Sequence, residues 1–133
     1  MSDLTPELSV VLWATDLAGL IRFLGEAGGL AVEQSFPGYA ELRAANARIV
    51  LHADDDAYRG HPWYDAIRKE GVARGIGAEL RLRVPDASAA YARALRLGAL
   101  AIQAPAQVDG AEECSVMGPD GFLFSFWSTL EDD

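Results

Sequence analysis

The chain has 133 residues, of which 50% are hydrophobic and 23% are charged, and its formal net charge at pH 7 is -9. This composition is that of a globular protein, and a chain of this length can bury one core without disulfides. With 11 basic residues against 20 acidic ones, it lacks the clustered Lys and Arg that nucleic-acid binding requires. We therefore expect one globular domain over residues 1–133 and no nucleic-acid partner.

Cysteine usage and the first residues indicate the compartment. Cys114 is the single cysteine, which excludes an intrachain disulfide and is typical of a reducing compartment. The opening residues, MSDLTPELSV, lack the basic and then apolar segments of a secretory signal. No run of about 18 apolar residues occurs. We expect a soluble cytoplasmic protein without a membrane partner.

The first half of the chain predicts the order β-α-β-β-β. Its helix is predicted over residues 17–27, because apolar residues recur there at helical spacing. Thr15 or Asp16 would cap the start of this helix, and Gly28 would end it. The strands of this half are predicted at residues 7–14, 30–35, 39–44 and 47–53.

The second half repeats this order. Asp86 stands 70 residues after Asp16, and Asp86 or Ser88 would cap a helix that runs through Leu97 and ends at Gly98. The strands are predicted at residues 78–84, 99–104, 112–117 and 122–127. The repeat predicts two modules of one design, at about residues 7–53 and 78–128.

Residues 54–77 connect the two modules. Proline fits the first turn of a helix, so a short helix is predicted from Pro62 or Trp63 to about Glu70. A connection of this length is either a spacer or a flap over a site. The adjacent aromatic residues Trp63 and Tyr64 favour the flap.

Two motifs carry a resemblance to a known family. The segment TDLAGLIRFLGEAGGL follows the first strand, and GPDGFLFSFW leads into the last. Both stand in register with the repeat, and the chain resembles the vicinal oxygen chelate superfamily. That superfamily contains glyoxalase I, bleomycin-resistance proteins, fosfomycin-resistance enzymes and extradiol dioxygenases. The resemblance implies an α+β fold of two tandem βαβββ modules that form a cupped mixed sheet. It also implies helices on the convex side, a ligand on the concave side and pairing of modules in a homodimer.

The resemblance also permits a test for the metal site of the superfamily. Its metal-dependent members take ligands from the first and last strand of each module. Those positions fall on Ser9, Val50, Glu79 and Ser125. Only Glu79 carries a competent metal ligand, and His52 lies two residues beyond Val50 on the same face. We therefore expect no bound metal and no cofactor.

The remaining candidate residues lie on the concave face that the resemblance implies. There Glu79 and Arg81 either form an ion pair that completes the wall or anchor a polar ligand. Trp13 and Trp127 either offer flat surface to a ligand or belong to the core or a dimer interface. The predicted ligand-binding residues are Trp13, His52, Glu79, Arg81, Ser125 and Trp127, with Trp63 and Tyr64 on the flap.

These observations favour a metal-independent protein of the bleomycin-resistance type that binds a small molecule as a homodimer. An acidic protein with tryptophans in its cleft suits a cationic aromatic antibiotic. The alternative is an enzyme of the same superfamily, either a metal-dependent lyase, isomerase or dioxygenase, or a metal-free isomerase with Glu79 or His52 as its base. A third interpretation is an accessory protein in which side chains fill the cleft.

Overall fold

A computed structural model of the chain describes residues 7–54, 74–75 and 77–130. Within these residues, the N-terminal module contains β1 (Ser9–Ala14), α1 (Leu17–Glu26), β2 (Ala31–Phe36), β3 (Tyr39–Ala44) and β4 (Ala47–Ala53). The C-terminal module contains β5 (Glu79–Arg83), α2 (Ala87–Arg96), β6 (Leu100–Val108), β7 (Ala111–Met117) and β8 (Leu123–Thr129). The predicted α+β fold of two β-α-β-β-β modules is confirmed. The predicted short helix with Trp63 and Tyr64 lies outside the described residues.

Each module forms its own four-stranded mixed sheet. The strand order is β1-β4-β3-β2 in the N-terminal sheet and β5-β8-β7-β6 in the C-terminal sheet. In both sheets the first strand pairs in parallel with the last strand of its module, and the other neighbours are antiparallel. The resemblance implies one cupped mixed sheet, and the described residues form two four-stranded mixed sheets of the same topology.

Each sheet packs one face against its helix. An alternating strand sends successive side chains to opposite faces, and in β1 Leu12 and Ala14 are buried while Ser9 and Val11 are exposed. The large residues Leu20, Phe23 and Leu24 form the buried face of α1. The buried face of α2 consists of alanines instead, at positions 87, 90 and 94, and such small side chains let a helix lie close to its sheet.

The two modules share one buried core. Phe23 of α1 contacts Phe124 of β8, with 5.1 Å between the ring centroids. Gly28, just after α1, lies so close to the second module that an added Cβ would be 3.0 Å from a methyl carbon of Leu82. The guanidinium of Arg93 on α2 donates a hydrogen bond of 2.8 Å to the backbone carbonyl of Glu26. The helices therefore hold the modules side by side.

Both helices begin in the way that the repeat predicts. The side chain of Asp16 accepts a hydrogen bond from the backbone N–H of Gly19, and the side chain of Asp86 accepts one from Ala89. Gly98 follows α2 with a φ of 101°, a left-handed conformation that favours glycine. Neither described helix is long and apolar enough to cross a membrane.

The outer strands β2 and β6 are irregular. The β2–β3 register shifts between Val32 and Gln34, and the β6–β7 register shifts twice between Ala101 and Ala106. Large apolar side chains on these strands are exposed, among them Phe36, Leu100 and Ile102.

Candidate functional site

The sheet faces turned away from the helices carry the polar and aromatic side chains that the sequence indicates. We call them the N-terminal face and the C-terminal face. The N-terminal face consists of Val11, Trp13, Phe36, Tyr39, Glu41, Arg43, Arg48, Val50 and His52. The C-terminal face consists of Glu79, Arg81, Arg83, Glu113, Ser115, Met117, Leu123, Ser125 and Trp127.

An aromatic row crosses the N-terminal face from one edge of the sheet to the other. Trp13, His52, Tyr39 and Phe36 are successive partners in the registers of the four strands. The rings of Trp13 and His52 are stacked, with centroids 5.7 Å apart and an angle of 24° between their planes. Tyr39 meets His52 edge to face at 5.3 Å, and Phe36 lies 6.1 Å from Tyr39. The row provides flat apolar surface, and His52 is enclosed between two aromatic rings.

Charged groups on the same face pair with one another. The hydroxyl of Tyr39 donates a hydrogen bond to the carboxylate of Glu41, and this bond raises the pKa of Tyr39. Arg48 lies 3.9 Å from Glu41, and Arg43 pairs with Glu33 of β2. The hydrogen bond from Arg43 lowers the pKa of Glu33. Tyr39 is therefore a protonated phenol at neutral pH and does not act there as a base.

Two arginines surround a tryptophan on the C-terminal face. The guanidinium carbons of Arg81 and Arg83 lie 5.9 and 5.5 Å from the centroid of the Trp127 ring. Arg81 forms an ion pair with Glu113 on β7, with N–O distances of 3.4 and 3.5 Å. The interpretation of a Glu79–Arg81 pair is wrong, because Arg81 reaches across β8 to Glu113. Among the described residues Glu79 forms no ion pair, and its side chain is exposed.

Ser125 lies in the middle of the C-terminal face. It is the direct partner of Arg81 on β5 and of Ser115 on β7. Its exposed fraction is 3%, and its hydroxyl has no hydrogen-bond partner among the residues that the structure describes. The Arg81 side chain has to pass over β8 to reach Glu113, and the small serine leaves room for that path. A buried hydroxyl without a partner is unusual in a folded protein.

The superfamily's metal positions do not fit a metal in this chain. Val50 has no ligand atom in its side chain, and it pairs with Val11 in a register that continues through β4 without a shift. His52 lies two residues further along β4, within the aromatic row, so no bulge brings it to the position of Val50. The part of the chain that the structure describes contains no group of three or more His, Cys, Asp or Glu side chains that could hold a metal ion.

A largely apolar cleft lies between the edges of β1 and β5. Its volume is about 320 Å³, at the lower end of the range for small-molecule sites. Trp13 and Val11 line it from the N-terminal module. Leu80, Phe122 and Leu123 line it from the C-terminal module. Trp13 therefore belongs both to the aromatic row and to the wall of the cleft.

A cluster of hydrogen-bonded polar groups lies at the end of this cleft, and the sequence analysis does not identify it. Arg74 donates two hydrogen bonds of 2.7 Å to the Asp54 carboxylate and one of 3.1 Å to the backbone carbonyl of Trp13. Asp120 accepts hydrogen bonds from the backbone N–H and hydroxyl of Thr15, at 3.0 and 2.9 Å. The backbone N–H of Arg74 in turn donates to the carbonyl of Asp120. The cluster joins the ends of β1 and β4 to the turn before β8.

The sequence-predicted residues are thus distributed over two surfaces. Trp13 and His52 meet on the N-terminal face, and Arg81, Ser125 and Trp127 meet on the C-terminal face. Ser9 and Glu79 lie at the exposed starts of β1 and β5, and Trp63 and Tyr64 lie outside the described residues. Sequence reasoning missed Tyr39 and Glu113. The alternation along β3 and β7 could have identified them, because it places Tyr39 and Glu113 on the same sheet face as a predicted residue of the neighbouring strand.

Solved structures share this fold at low sequence identity. An enzyme of the glyoxalase/bleomycin resistance protein/dioxygenase family from Burkholderia phytofirmans PsJN is 18% identical, with 92% of this chain and 97% of that chain covered and a TM-score of 0.70. A glyoxalase-related enzyme from Fulvimarina pelagi is 16% identical, with 95% and 89% covered and a TM-score of 0.71. A glyoxalase/bleomycin resistance protein from Albidiferax ferrireducens T118 is 15% identical, with 90% and 95% covered and a TM-score of 0.67.

No family model matches the sequence, and no curated protein is significantly similar to it. The structural likeness extends over nearly the whole chain and includes both modules. The chain therefore has the fold of these glyoxalase/bleomycin-resistance/dioxygenase proteins, which is the fold that its sequence resemblance predicts.

Proposed function

We propose that the protein binds a small planar organic molecule in the cleft beside Trp13 and that it does so without a metal. The observation that carries this proposal is the double position of Trp13, which lines the cleft and stacks on His52. A flat ligand in the cleft would bury apolar surface against an aromatic ring that the stack already holds in place. Binding of this kind requires no catalytic group.

The charges of the two faces favour a ligand with little net charge over a strongly cationic one. Arg43 pairs with Glu33, and Arg81 pairs with Glu113. Glu41 lies between Tyr39 and Arg48. The net charge of -9 is therefore not concentrated on these faces. A cationic aromatic antibiotic remains a candidate ligand, and it competes with neutral and anionic planar molecules in the experiment below.

The side chains at the superfamily's metal-ligand positions support the metal-independent part of the proposal. An open metal site needs several nitrogen or oxygen ligands at fixed geometry, and Val50 supplies none. Metal content per chain, measured after purification without chelator and after incubation with manganese, iron, nickel and zinc, tests this part. We expect far less than one metal ion per chain. A retained stoichiometric metal would contradict the proposal and favour an enzyme of the superfamily.

We also propose that the protein is a homodimer. Phe36, Leu100 and Ile102 on the outer strands are more than half exposed, and a second copy that covers them would bury apolar surface. Light scattering after size exclusion should give a mass near twice 14.3 kDa. A monomer at every concentration would contradict this part.

Calorimetric titration tests the binding itself, with naphthalene-2-carboxamide as a neutral planar probe and bleomycin as a cationic aromatic one. We expect Trp13→Leu to weaken the binding of the planar probe at least about tenfold, because leucine keeps apolar bulk but removes the flat ring. Leu95→Ala, on the exposed side of α2, is the matched control and should leave binding unchanged. Equal affinity in wild type and Trp13→Leu would contradict the proposed site. Failure of both probes and of naphthalene-2-carboxylate to bind at about 1 mM, an affinity of about -4 kcal/mol, would contradict the function.

A further inference from the structure

The duplication of the module makes the unpartnered hydroxyl of Ser125 informative. Each module places one residue at this position of its last strand, opposite the third residue of its first strand. In the N-terminal module that residue is Val50, opposite Val11, and in the C-terminal module it is Ser125, opposite Arg81. The sheet therefore accepts an apolar side chain here, and packing does not require a hydroxyl. Within the described part of the chain this hydroxyl, on a residue that is 97% buried, has no partner, and an acceptor on another molecule would supply its hydrogen bond.

Cationic groups lie beside this hydroxyl. Arg81 is the direct neighbour of Ser125 on β5, and Arg83 lies two residues further on the same face. Both guanidinium groups lie within 6 Å of the Trp127 centroid. Glu113 and the exposed Glu79 are the carboxylates on the same face, and among the described residues Arg83 has no ion pair. The two arginines and two carboxylates of this face balance in charge, and Arg81 is the cationic group directly beside Ser125.

The ion pair of Arg81 is loose enough to exchange. Its N–O distances of 3.4 and 3.5 Å exceed the 2.7 Å of the Arg74–Asp54 pair. Charge-assisted hydrogen bonds between guanidinium and carboxylate are ordinarily shorter than 3 Å. The Arg81 side chain is also half exposed, and an exposed pair of this kind contributes little. A ligand carboxylate can take the place of Glu113 without breaking a strong interaction.

The cleft beside Trp13 and the C-terminal face share one lining residue, Leu123. Leu123 lines the cleft and lies on the same face of β8 as Ser125, two residues earlier. Two residues along a strand span about 6.6 Å, which is the length scale of a fused aromatic ring. A planar molecule in the cleft would therefore present a substituent at its end to Ser125.

We propose that the C-terminal face binds the carboxylate of a planar aromatic acid, with the Ser125 hydroxyl and the Arg81 guanidinium as its hydrogen-bond donors. The inference rests on the proposed function, because the aromatic part of the ligand occupies the cleft beside Trp13. A planar carboxylate accepts two parallel N–H bonds from a guanidinium. Its remaining lone pairs accept the bond that Ser125 donates, and Arg83 adds positive charge.

Two probes of equal shape test this inference. Naphthalene-2-carboxylate and naphthalene-2-carboxamide differ in charge and in the presence of N–H donors, and both are titrated calorimetrically into the whole chain. We expect the carboxylate to bind at least about tenfold more tightly than the carboxamide. Ser125→Ala should reduce carboxylate affinity about five- to tenfold and change carboxamide affinity less than about twofold. Arg81→Met should abolish the preference for the carboxylate.

The controls place the effect at Ser125 and Arg81. Ser35→Ala, at an exposed position of β2, and Arg22→Met, at an exposed position of α1, should leave both affinities unchanged. An NMR titration of the wild type should shift the side-chain Nε–H resonance of Arg81 with the carboxylate alone. This measurement needs no variant and therefore does not depend on variant folding.

The outcomes separate the inference from the function on which it rests. Equal binding of both probes, or a carboxylate preference that survives in Ser125→Ala and Arg81→Met, overturns the inference and leaves the proposed function standing. Failure of both probes and of bleomycin to bind overturns the proposed function itself. Loss of the preference in the two variants, with the controls unchanged, supports the inference.

Discussion

Replacement of Arg74 by methionine should strongly destabilise the fold. The side chains of Arg74 and Asp54 are only 9% and 7% exposed, and two hydrogen bonds of 2.7 Å join them. Methionine fills a similar volume, but it leaves the Asp54 carboxylate buried without its cation and removes a donor from the Trp13 carbonyl. Removal of one partner of a buried ion pair costs about 3–5 kcal/mol. That loss is a large part of the 5–15 kcal/mol by which domains are ordinarily stable.

Urea denaturation followed by circular dichroism measures this loss. With an m-value of about 2 kcal/mol/M, a loss of 3–5 kcal/mol lowers the midpoint by about 1.5–2.5 M. Arg22→Met is the matched control, because the Arg22–Glu26 pair is 65% and 54% exposed and should contribute less than about 1 kcal/mol. If Arg74→Met does not fold, the double variant Asp54→Asn/Arg74→Met should recover a folded protein, since it leaves no buried unpaired charge. A loss in Arg74→Met no greater than in Arg22→Met would refute the reasoning.

Two further predictions concern the Asp120–Thr15 hydrogen bonds and the buried thiol of Cys114. Asp120→Ala should lower the free energy of unfolding by about 2 kcal/mol, because it removes both hydrogen bonds to Thr15 and places alanine at a φ of 60°. In the same urea titration, Asp120→Asn should lower the free energy of unfolding by less than half as much. Equal losses in the two variants would contradict this explanation. Burial raises the pKa of the Cys114 thiol, so iodoacetamide at pH 8 should alkylate the native protein at least about 100-fold more slowly than the urea-unfolded protein. Because the folded-state pKa is the higher one, this thiol's contribution to stability is complete below the ordinary thiol pKa and is lost as pH rises toward the folded-state value. Rapid native alkylation, or stability that rises over that alkaline range because of Cys114, would contradict this prediction.

Local patterns were sufficient to predict the modules. The apolar alternation of β1 and β5, the capping residues Asp16 and Asp86, and the glycine after α2 are each determined within a few residues of sequence. Their repetition predicted two modules of one topology. The residues on each sheet face could be predicted as well, because in a strand with one buried side the alternate residues must lie on the other side.

The contacts between distant segments could not be predicted in this way. Thr15 and Asp120 are 105 residues apart, and no periodicity relates them. The partner of Arg81 was predicted within its own strand, where residues two apart point in parallel about 6.6 Å from each other. The long arginine instead extends across the small Ser125 to Glu113, and that choice depends on the size of a side chain in the neighbouring strand.

The irregular outer strands also affect how the chain behaves at high concentration. An exposed outer strand offers unpaired N–H and C=O groups, on which another chain can add a strand and begin a fibril. In β6 the two register shifts and Pro105 interrupt this row of groups, and in β2 a single shift does the same. A continuous ladder with a foreign strand is therefore disfavoured on either side of the molecule. The interruptions protect apolar outer strands from aggregation while those strands are still uncovered.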